Sequence, residues 1–439
     1  MFLKILLRLA ALKRINGKSI SGFTLLELLV ALIMASVIIS SLLTFVVSVL
    51  DTDSKERAKV QSQEEIQSAL NYIADDMQQA IYIYDADGMY LNVTGVGNFA
   101  PNNAVVQQIP SGTDRTPILM FWKRHHYDRN DDVPTSSGPK KVGCLDYPDN
   151  GATCIDASGQ PKGSDKYAYS LVVYYLVKDT NSSTWSNTSR IARWELRDGI
   201  RWSCVNQSTA AQADAALCPI ADNLPRPDVP TTGTDWNVDT NTYVVLPDAG
   251  FLRFDASGAG TLSDRLNRWK VSAVNNAPDK LRTLIDYVDD SDYVPAQDGA
   301  GPSPIKIGLE KNSPIATGSY PPAPGTQSKN QFCDRAGSGV GVGLSDAEVG
   351  TGVQNIFSQR IPPDFSGSVN GINTNPTGLS SFYSCVNASR VTARIYIRGN
   401  ALARLEPNKN FRFITNDKLT GFVPTSSVRV FGRGSLSLE

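Results

Sequence analysis

The residue best placed to do chemistry is a lone carboxylate, Glu27, in an otherwise apolar run from Phe23 to Leu50. Residues 28–50 carry no charged side chain. A charge in the middle of a membrane helix costs about 2.5–3.5 kcal/mol, so such a group normally has a partner of opposite charge. The run holds no cation, but cleavage between Gly22 and Phe23 would create a positive α-amino group four residues before Glu27. We therefore expect Glu27 to pair with an amine, and in a helical stack with that of a neighbouring subunit.

The only two histidines, His125 and His126, lie in the sequence KRHHYDRNDD. Adjacent residues of a strand point to opposite faces, so the two rings are poorly placed to share a metal. We expect them in a solvated loop. Without a further histidine, a Ser-His or Cys-His nucleophile is nearly excluded.

Two acidic clusters are weak calcium candidates. Asp128, Asn130 and Asp132 match the first half of a D-x-N-x-D calcium loop, but Val133 stands where that loop needs glycine and no Glu follows at position twelve. Solvated acidic turns are the favoured interpretation, and no cofactor is expected. The second cluster consists of Asp286, Asp289, Asp290, Asp292 and Asp298.

Composition and charge narrow the function classes. The chain has 439 residues, a net charge of −1, and no lipase-type, nucleotide-binding or H-E-x-x-H motif. Five cations and no acid lie in residues 1–22, so their removal leaves a mature chain of net charge −6. A mildly acidic chain is not an electrostatic footprint for nucleic acid, and none is expected as a partner. We do not expect the protein to be an enzyme. The sequence leaves one alternative open, catalysis by two carboxylates that the fold brings together.

The element that must position Glu27 is the apolar run itself. As an α-helix, residues 28–50 are roughly 35 Å long, enough to cross a hydrocarbon core of about 30 Å. The backbone there must be helical, because lipid offers no partner for free N–H or C=O groups. The basic leader stays cytoplasmic, so the C-terminal bulk is expected across the inner membrane.

The sequence Gly22-Phe23-Thr24-Leu25-Leu26-Glu27, between a basic leader and a long apolar helix, resembles the class III signal of type IV prepilins and type II secretion pseudopilins. In that family a prepilin peptidase cuts after the glycine and N-methylates the new first residue. The resemblance implies that Gly22 is the cleavage residue, Phe23 the methylated N-terminus and Glu27 the assembly carboxylate. The alternative is an uncleaved signal anchor in which Glu27 faces the interface by chance.

The resemblance also implies a function: a structural minor pilin or pseudopilin at the tip or initiation complex of a filament. Its partners would be prepilin peptidase, other pilins, an inner-membrane assembly platform and the membrane. The order of the predicted helix, strands, loop and hairpin is similar to that of W-type minor pilins and J-type pseudopilins. The size of the chain and its Gly/Pro-rich insertion resemble those of the large pseudopilins of cyanobacterial hormogonium polysaccharide secretion, which is associated with motility. The alternatives are a pilus-displayed adhesin and a membrane-anchored periplasmic enzyme.

Six cysteines fit an exported domain, because an even count there favours disulfides. Neighbour pairing is one of 15 possible connectivities, and free buried thiols are the alternative. A zinc site is disfavoured because no C-x-x-C occurs. The neighbouring pairs are Cys144 with Cys154, Cys204 with Cys218, and Cys333 with Cys385.

The resemblance implies an α+β fold of pilin-like type, in which a long N-terminal helix packs on an antiparallel sheet with long loop insertions. Ile66, Leu70, Ile73, Met77 and Ala80 recur at helical spacing, which predicts one buried face. The predicted segments are a leader (1–22), an assembly helix (23–50), an amphipathic helix (51–87) and a β-rich domain (88–439) with a Gly/Pro-rich insertion (296–380). The predicted strands are Ile118–Lys123, a hairpin of Tyr167–Val177 with Arg190–Leu196, Tyr243–Leu246, Phe251–Phe254, Trp269–Ala273, Arg390–Ile397 and Ser427–Phe431.

Overall fold

The computed structural model describes most of the N-terminal helix and the sheets that follow it. The described residues are 24–90, 104–135, 138–145, 154–179, 182–201, 243–245, 247–252, 262–271, 279–290, 359–362, 368–369, 372–406 and 421–433. The chain divides into two compact units, Met1–Glu56 and Arg57–Glu439. The architecture is α+β, with antiparallel sheets.

The described elements are numbered here in chain order. The helices are α1 (Leu25–Gln78), α2 (Ala86–Tyr90), α3 (Leu262–Asn267) and α4 (Leu402–Leu405), with short 3-10 turns at Val105–Gln108 and Val142–Cys144. The strands are β1 (Ala80–Ile83), β2 (Arg115–Tyr127), β3 (Asp132–Thr135), β4 (Gly138–Lys141), β5 (Lys166–Val177), β6 (Ser189–Arg197), β7 (Ile200–Arg201), β8 (Tyr243–Val245), β9 (Arg282–Val288), β10 (Gln359–Ile361), β11 (Ser368–Val369), β12 (Ile372–Asn373), β13 (Phe382–Asn387), β14 (Thr392–Arg398) and β15 (Thr425–Phe431).

The long helix α1 is continuous because neither glycine nor proline interrupts its 54 residues. Its predicted apolar stripe is confirmed at four residues: Ile66, Leu70, Ile73 and Met77 are buried in the main core. The fifth, Ala80, is also buried but lies in β1. The helix nevertheless ends at Gln78, before the predicted residue 87. The reason is the sequence AIYI, whose β-branched and aromatic residues suit a strand, and which forms β1 against β2.

The first sheet has the strand order β1-β2-β5-β6-β9, with antiparallel pairing throughout. The predicted hairpin is confirmed as β5 paired with β6, where Leu171 lies opposite Leu196 and Val177 opposite Arg190. β5 occupies the centre of the sheet and is buried from Ala168 to Val177. This burial explains why its sequence is apolar without alternation.

The second sheet has the order β10-β13-β14-β15. Strands β14 and β15 confirm the predictions over Arg390–Ile397 and Ser427–Phe431. β10 was not predicted. It lies inside the expected Gly/Pro-rich insertion (296–380), yet all residues of Gln359–Ile361 are buried. Part of that segment therefore belongs to the folded core; its residues 296–358 lie outside the described part of the chain.

Two predicted strands do not form as expected. Phe251 and Leu252 are buried without strand pairing, and residues 253 and 254 lie outside the described part of the chain. Trp269 follows α3, and its indole nitrogen donates to the Leu252 carbonyl at 2.5 Å. Its ring lies edge-on to Trp122 at a centroid distance of 5.6 Å. These aromatic residues pack onto the first sheet instead of extending it.

The two sheets meet where β9 ends and β14 ends. Arg398 Nε donates to Asp289 Oδ2 at 2.7 Å, and both side chains are almost completely buried. The Asp289 amide also donates to the Arg398 carbonyl at 3.0 Å. Gly399 follows, and a Cβ added there would lie 2.6 Å from Ile66 Cδ1 on α1. An added Cβ would therefore overpack this junction against the helix.

Candidate functional site

The N-terminus of α1 is capped by its own sequence. The Glu27 amide donates to Thr24 Oγ1 at 3.2 Å, and the Leu28 amide donates to the Thr24 carbonyl at 3.1 Å. Thr24 is thus the N-cap and Glu27 the third helical residue, the spacing of a capping box. A carboxylate in the first turn also interacts favourably with the positive end of the helix dipole.

This capping role was missed in the sequence, although T-x-x-E before an apolar run is a recognised helix-start pattern. Thr24 caps the helix through the Glu27 backbone amide, a contact that does not use the Glu27 carboxylate. Gly22 and Phe23 lie outside the described residues, so the structure places Glu27 but not the predicted cleavage site.

Among the described residues, the first half of α1 finds no apolar partner in the rest of the chain. Large apolar side chains from Leu25 to Leu50 are between 45% and 86% exposed. The helix is long and apolar enough to cross a membrane, with a mean hydropathy of 2.6 over its most apolar window and no burial in that window. Because exposed apolar area costs roughly 25 cal/mol per Å² in water, this segment needs lipid or other helices around it.

Five hydroxyl side chains in that segment and just beyond it bond to their own helix. Their hydroxyl groups donate to backbone carbonyls three or four residues earlier, at 2.8–2.9 Å. A hydroxyl satisfied in this way does not need water. These hydroxyl groups are therefore compatible with an apolar environment. These donors are Ser36, Ser41, Thr44, Thr52 and Ser54.

Farther along α1, within the second unit, a buried carboxylate attaches the helix to the first sheet. Asp76 Oδ1 accepts from Lys123 Nζ of β2 at 2.6 Å. Asp76 Oδ2 accepts from the Tyr174 hydroxyl of β5 and from Arg193 Nε of β6, both at 2.8 Å. Three neighbouring strands therefore converge on one helix residue.

A second carboxylate, Glu195, completes this charge cluster. Its Oε2 accepts from Arg193 Nη1 and from Arg197 Nη2, each at 2.8 Å. Burial favours a raised pKa for Asp76, but hydrogen bonds and charges from Arg193 and Lys123 outweigh it and lower the pKa. Burial likewise opposes ionisation of Glu195, yet Arg197 and Arg193 hold its pKa well below the usual range. Both carboxylates are ionised at neutral pH.

The histidines lie in β2 and not in the expected loop. His125 is half-buried and packs edge-on against Tyr127 at 4.5 Å between centroids. His126 is exposed, and its Nε2 is 2.9 Å from Asp165 Oδ2. Burial, followed by the charges of Arg197 and Lys123, lowers the pKa of His125. The strand extends to Tyr127 because Arg115–Tyr127 pairs with β5 along its length.

The first acidic cluster forms a turn. Asp128 Oδ1 accepts from the Asn130 amide at 2.8 Å, and Asp132 Oδ2 pairs with Lys141 Nζ at 2.9 Å. Lys141 Nζ also donates to the Asn130 carbonyl. Within the described residues, no three His, Cys, Asp or Glu side chains are grouped in a way that could hold a metal ion.

The described members of the second cluster have separate partners. Asp286 accepts from the amide and the hydroxyl of Ser186, at 2.8 and 2.7 Å. Asp289 pairs with Arg398, and Asp290 with Lys178. The three carboxylates therefore serve three different contacts. Asp292 and Asp298 lie outside the described residues.

One predicted disulfide, Cys144–Cys154, is present. It lies after the β3–β4 hairpin, beside a small apolar cluster of Val133, Val142, Leu145 and Ile200. Cys385 is also disulfide-bonded, with a partner outside the described residues. Cys204, Cys218 and Cys333 lie outside them as well.

Comparison with protein-family models, with curated proteins and with solved structures gave no match for this chain. What the structure itself establishes is an α+β protein whose N-terminal apolar helix is long enough to cross a membrane.

Proposed function

We propose that this protein is a minor pilin or pseudopilin, a structural subunit of a filament of the type IV pilus or type II secretion kind. The observation that supports this most is Glu27 in the first turn of an uncovered apolar helix, directly after the sequence Gly22-Phe23. A carboxylate in the first turn can stabilise the start of any helix, but an assembling subunit has a second use for it, as the partner of a neighbouring subunit's amine.

In the proposed mechanism, the helix first holds the subunit in the inner membrane, with the C-terminal domain in the periplasm. Prepilin peptidase removes residues 1–22 and methylates Phe23. An inner-membrane platform then extracts the subunit, and Glu27 pairs with the Phe23 amine of a neighbouring pilin. The apolar side chains of Leu25–Leu50 exchange lipid for helix–helix contacts, so that burial in the filament replaces burial in the bilayer.

The large β-rich domain favours a place at the tip or in the initiation complex. A domain of this size, from residue 57 onward, is difficult to repeat along a tightly packed shaft. The filament would support secretion, including secretion of polysaccharide, and motility. In this proposal the protein acts by assembly and not by catalytic turnover.

The first test is mass spectrometry of the native N-terminus. The proposal expects a chain that begins with N-methylated Phe23, together with a Gly22→Val precursor about 2 kDa heavier, the mass of a leader of this length. A native chain that begins at Met1 would contradict it and favour an uncleaved membrane anchor.

A further inference from the structure

The last strand of the second sheet has one edge without a partner strand in the described part of the chain. β15 pairs with β14 over seven residues, and no described strand pairs with its other side. Its sequence TSSVRVF contains no proline. An edge strand presents a row of free N–H and C=O groups, which is a template for an added strand.

Two arginines lie directly opposite each other beside this edge. Arg394 of β14 and Arg429 of β15 are register partners, and both are exposed. Like charges at such positions repel. No carboxylate of the described residues pairs with either guanidinium group. Arg394 instead contacts Ser427 Oγ at 3.4 Å and the Tyr396 ring at 5.1 Å.

An exposed aromatic ring completes the surface. Arg429 lies over the Phe431 ring at 5.2 Å, and Phe431 is 53% exposed. Residues two apart on a strand share a face, so Arg429 and Phe431 face the same side. An added strand would therefore meet a cation and an apolar ring at alternate positions.

We propose that β15 binds an extended acidic peptide segment of a partner protein as an additional strand. Backbone hydrogen bonds would form along the free edge, and a carboxylate of the segment would lie opposite Arg429, within the field of Arg394. A second copy of β15 is disfavoured as the occupant, because antiparallel pairing about this strand brings Arg429 towards its own counterpart. The same repulsion selects an acidic strand. This inference goes beyond the filament proposal and does not depend on it.

The test uses the full-length protein in detergent and a fluorescein-labelled probe peptide of alternating Glu and Val residues. Fluorescence anisotropy measures its affinity, and hydrogen–deuterium exchange measures protection of residues 425–431. We expect binding with added protection of β15, at least tenfold weaker binding of the matched Gln-Val peptide, and at least a tenfold loss in the R394Q/R429Q double variant.

The matched control is Arg282→Gln, an exposed arginine on β9, the edge strand of the first sheet. It should leave probe affinity unchanged. Urea unfolding checks that the variants are folded. Equal affinity for the two peptides, binding without protection of β15, or no binding at all would overturn the proposal. In a further outcome, polygalacturonate binds in a way that depends on the two arginines while β15 stays unprotected. That result would overturn strand addition and identify the surface as a site for anionic polysaccharide.

Discussion

Asp76 of α1 and Lys123 of β2 form an ion pair with 2.6 Å between Oδ1 and Nζ, although only 8% and 9% of the two side chains are exposed. Arg193 and Glu195 lie in the same cluster, so two buried cations face two buried carboxylates. Partially buried charges are tolerated when they are paired and hydrogen-bonded. The cluster therefore holds the helix at a defined position on the sheet.

Removing the helix carboxylate from this cluster should destabilise the protein strongly. Asp76→Asn leaves Lys123 and Arg193 with an excess of buried positive charge, a change that typically costs about 3–5 kcal/mol. Urea unfolding in detergent would measure the loss. The matched control is the adjacent Asp75→Asn, an exposed position, which should stay within about 0.5 kcal/mol of wild type. Similar effects from both variants would contradict the role of Asp76.

A buried carboxylate at the start of α2 should make stability fall as pH rises. Burial, followed by the charge of Asp87, raises the pKa of Asp85 to about 6 from its ordinary 3.8. A raised pKa in the folded state contributes stability that is fully present below pH 3.8 and is lost as pH rises through about 6. Asp85→Asn keeps an acceptor for the Gly88 amide, so the variant should be more stable at pH 7.5.

The expected gain for Asp85→Asn at pH 7.5 is roughly 1–3 kcal/mol, the equivalent of up to about two pKa units. At pH 3.5 the variant and the wild type should be about equally stable, because the aspartate is then protonated in both the folded and the unfolded state. Unfolding free energies across pH 3.5–8 provide the measurement. A difference that does not change with pH would show that the carboxyl group does not titrate in this range.

The close approach of Gly399 to α1 predicts a steric effect. Gly399→Ala would place Cβ 2.6 Å from Ile66 Cδ1 and 2.8 Å from Ser62 Oγ, and overpacking of this kind typically costs about 1–3 kcal/mol. Adding Ile66→Val removes the Cδ1 atom and should recover part of the loss in thermal unfolding. Gly421→Ala serves as the control, since its Cβ would have nothing closer than 4.0 Å. Additive losses in the double variant would argue against the contact.

Glu27 and Thr24 permit a test that separates capping from assembly. Glu27→Gln should give a processed subunit that enters sheared filaments poorly, because its carboxylate no longer pairs with an amine. Thr24→Ala removes the cap acceptor but keeps Glu27, at a typical cost of about 1 kcal/mol in helix stability. Immunoblots of sheared filaments and of membranes measure incorporation. If Thr24→Ala reproduces the defect of Glu27→Gln, a weakened helix start is sufficient to impair incorporation, and the comparison no longer supports pairing of Glu27 with an amine.

Local patterns identified several of the regular elements. The spacing of Ile66, Leu70, Ile73 and Met77 identified the buried face of α1, because helical periodicity depends only on residues that are close together in the sequence. The apolar Tyr167–Val177 and the alternating Arg390–Ile397 identified β5 and β14 for the same reason. The N-cap at Thr24 was equally local, and its pattern was present in the sequence.

Contacts between distant residues were not predictable in this way. Asp76 and Arg193 are 117 residues apart, and Asp289 and Arg398 are 109 apart. Inward and outward residues alternate along β14, and this pattern places Arg398 on the outward face. Arg398 is nevertheless buried, because Asp289 neutralises its charge at the junction of the two sheets. The sequence pattern of α1 did not single out Asp76, because the partners of this carboxylate lie on three strands far along the chain.

The sequence alone determined that a long apolar helix with one early carboxylate precedes the strands, since charge, hydropathy and periodicity act over neighbouring residues. The tertiary structure decided where α1 stops, that β10 belongs to the core, and which buried charges neutralise one another. Those outcomes depend on pairing energies that arise only when remote strands and helices are brought together.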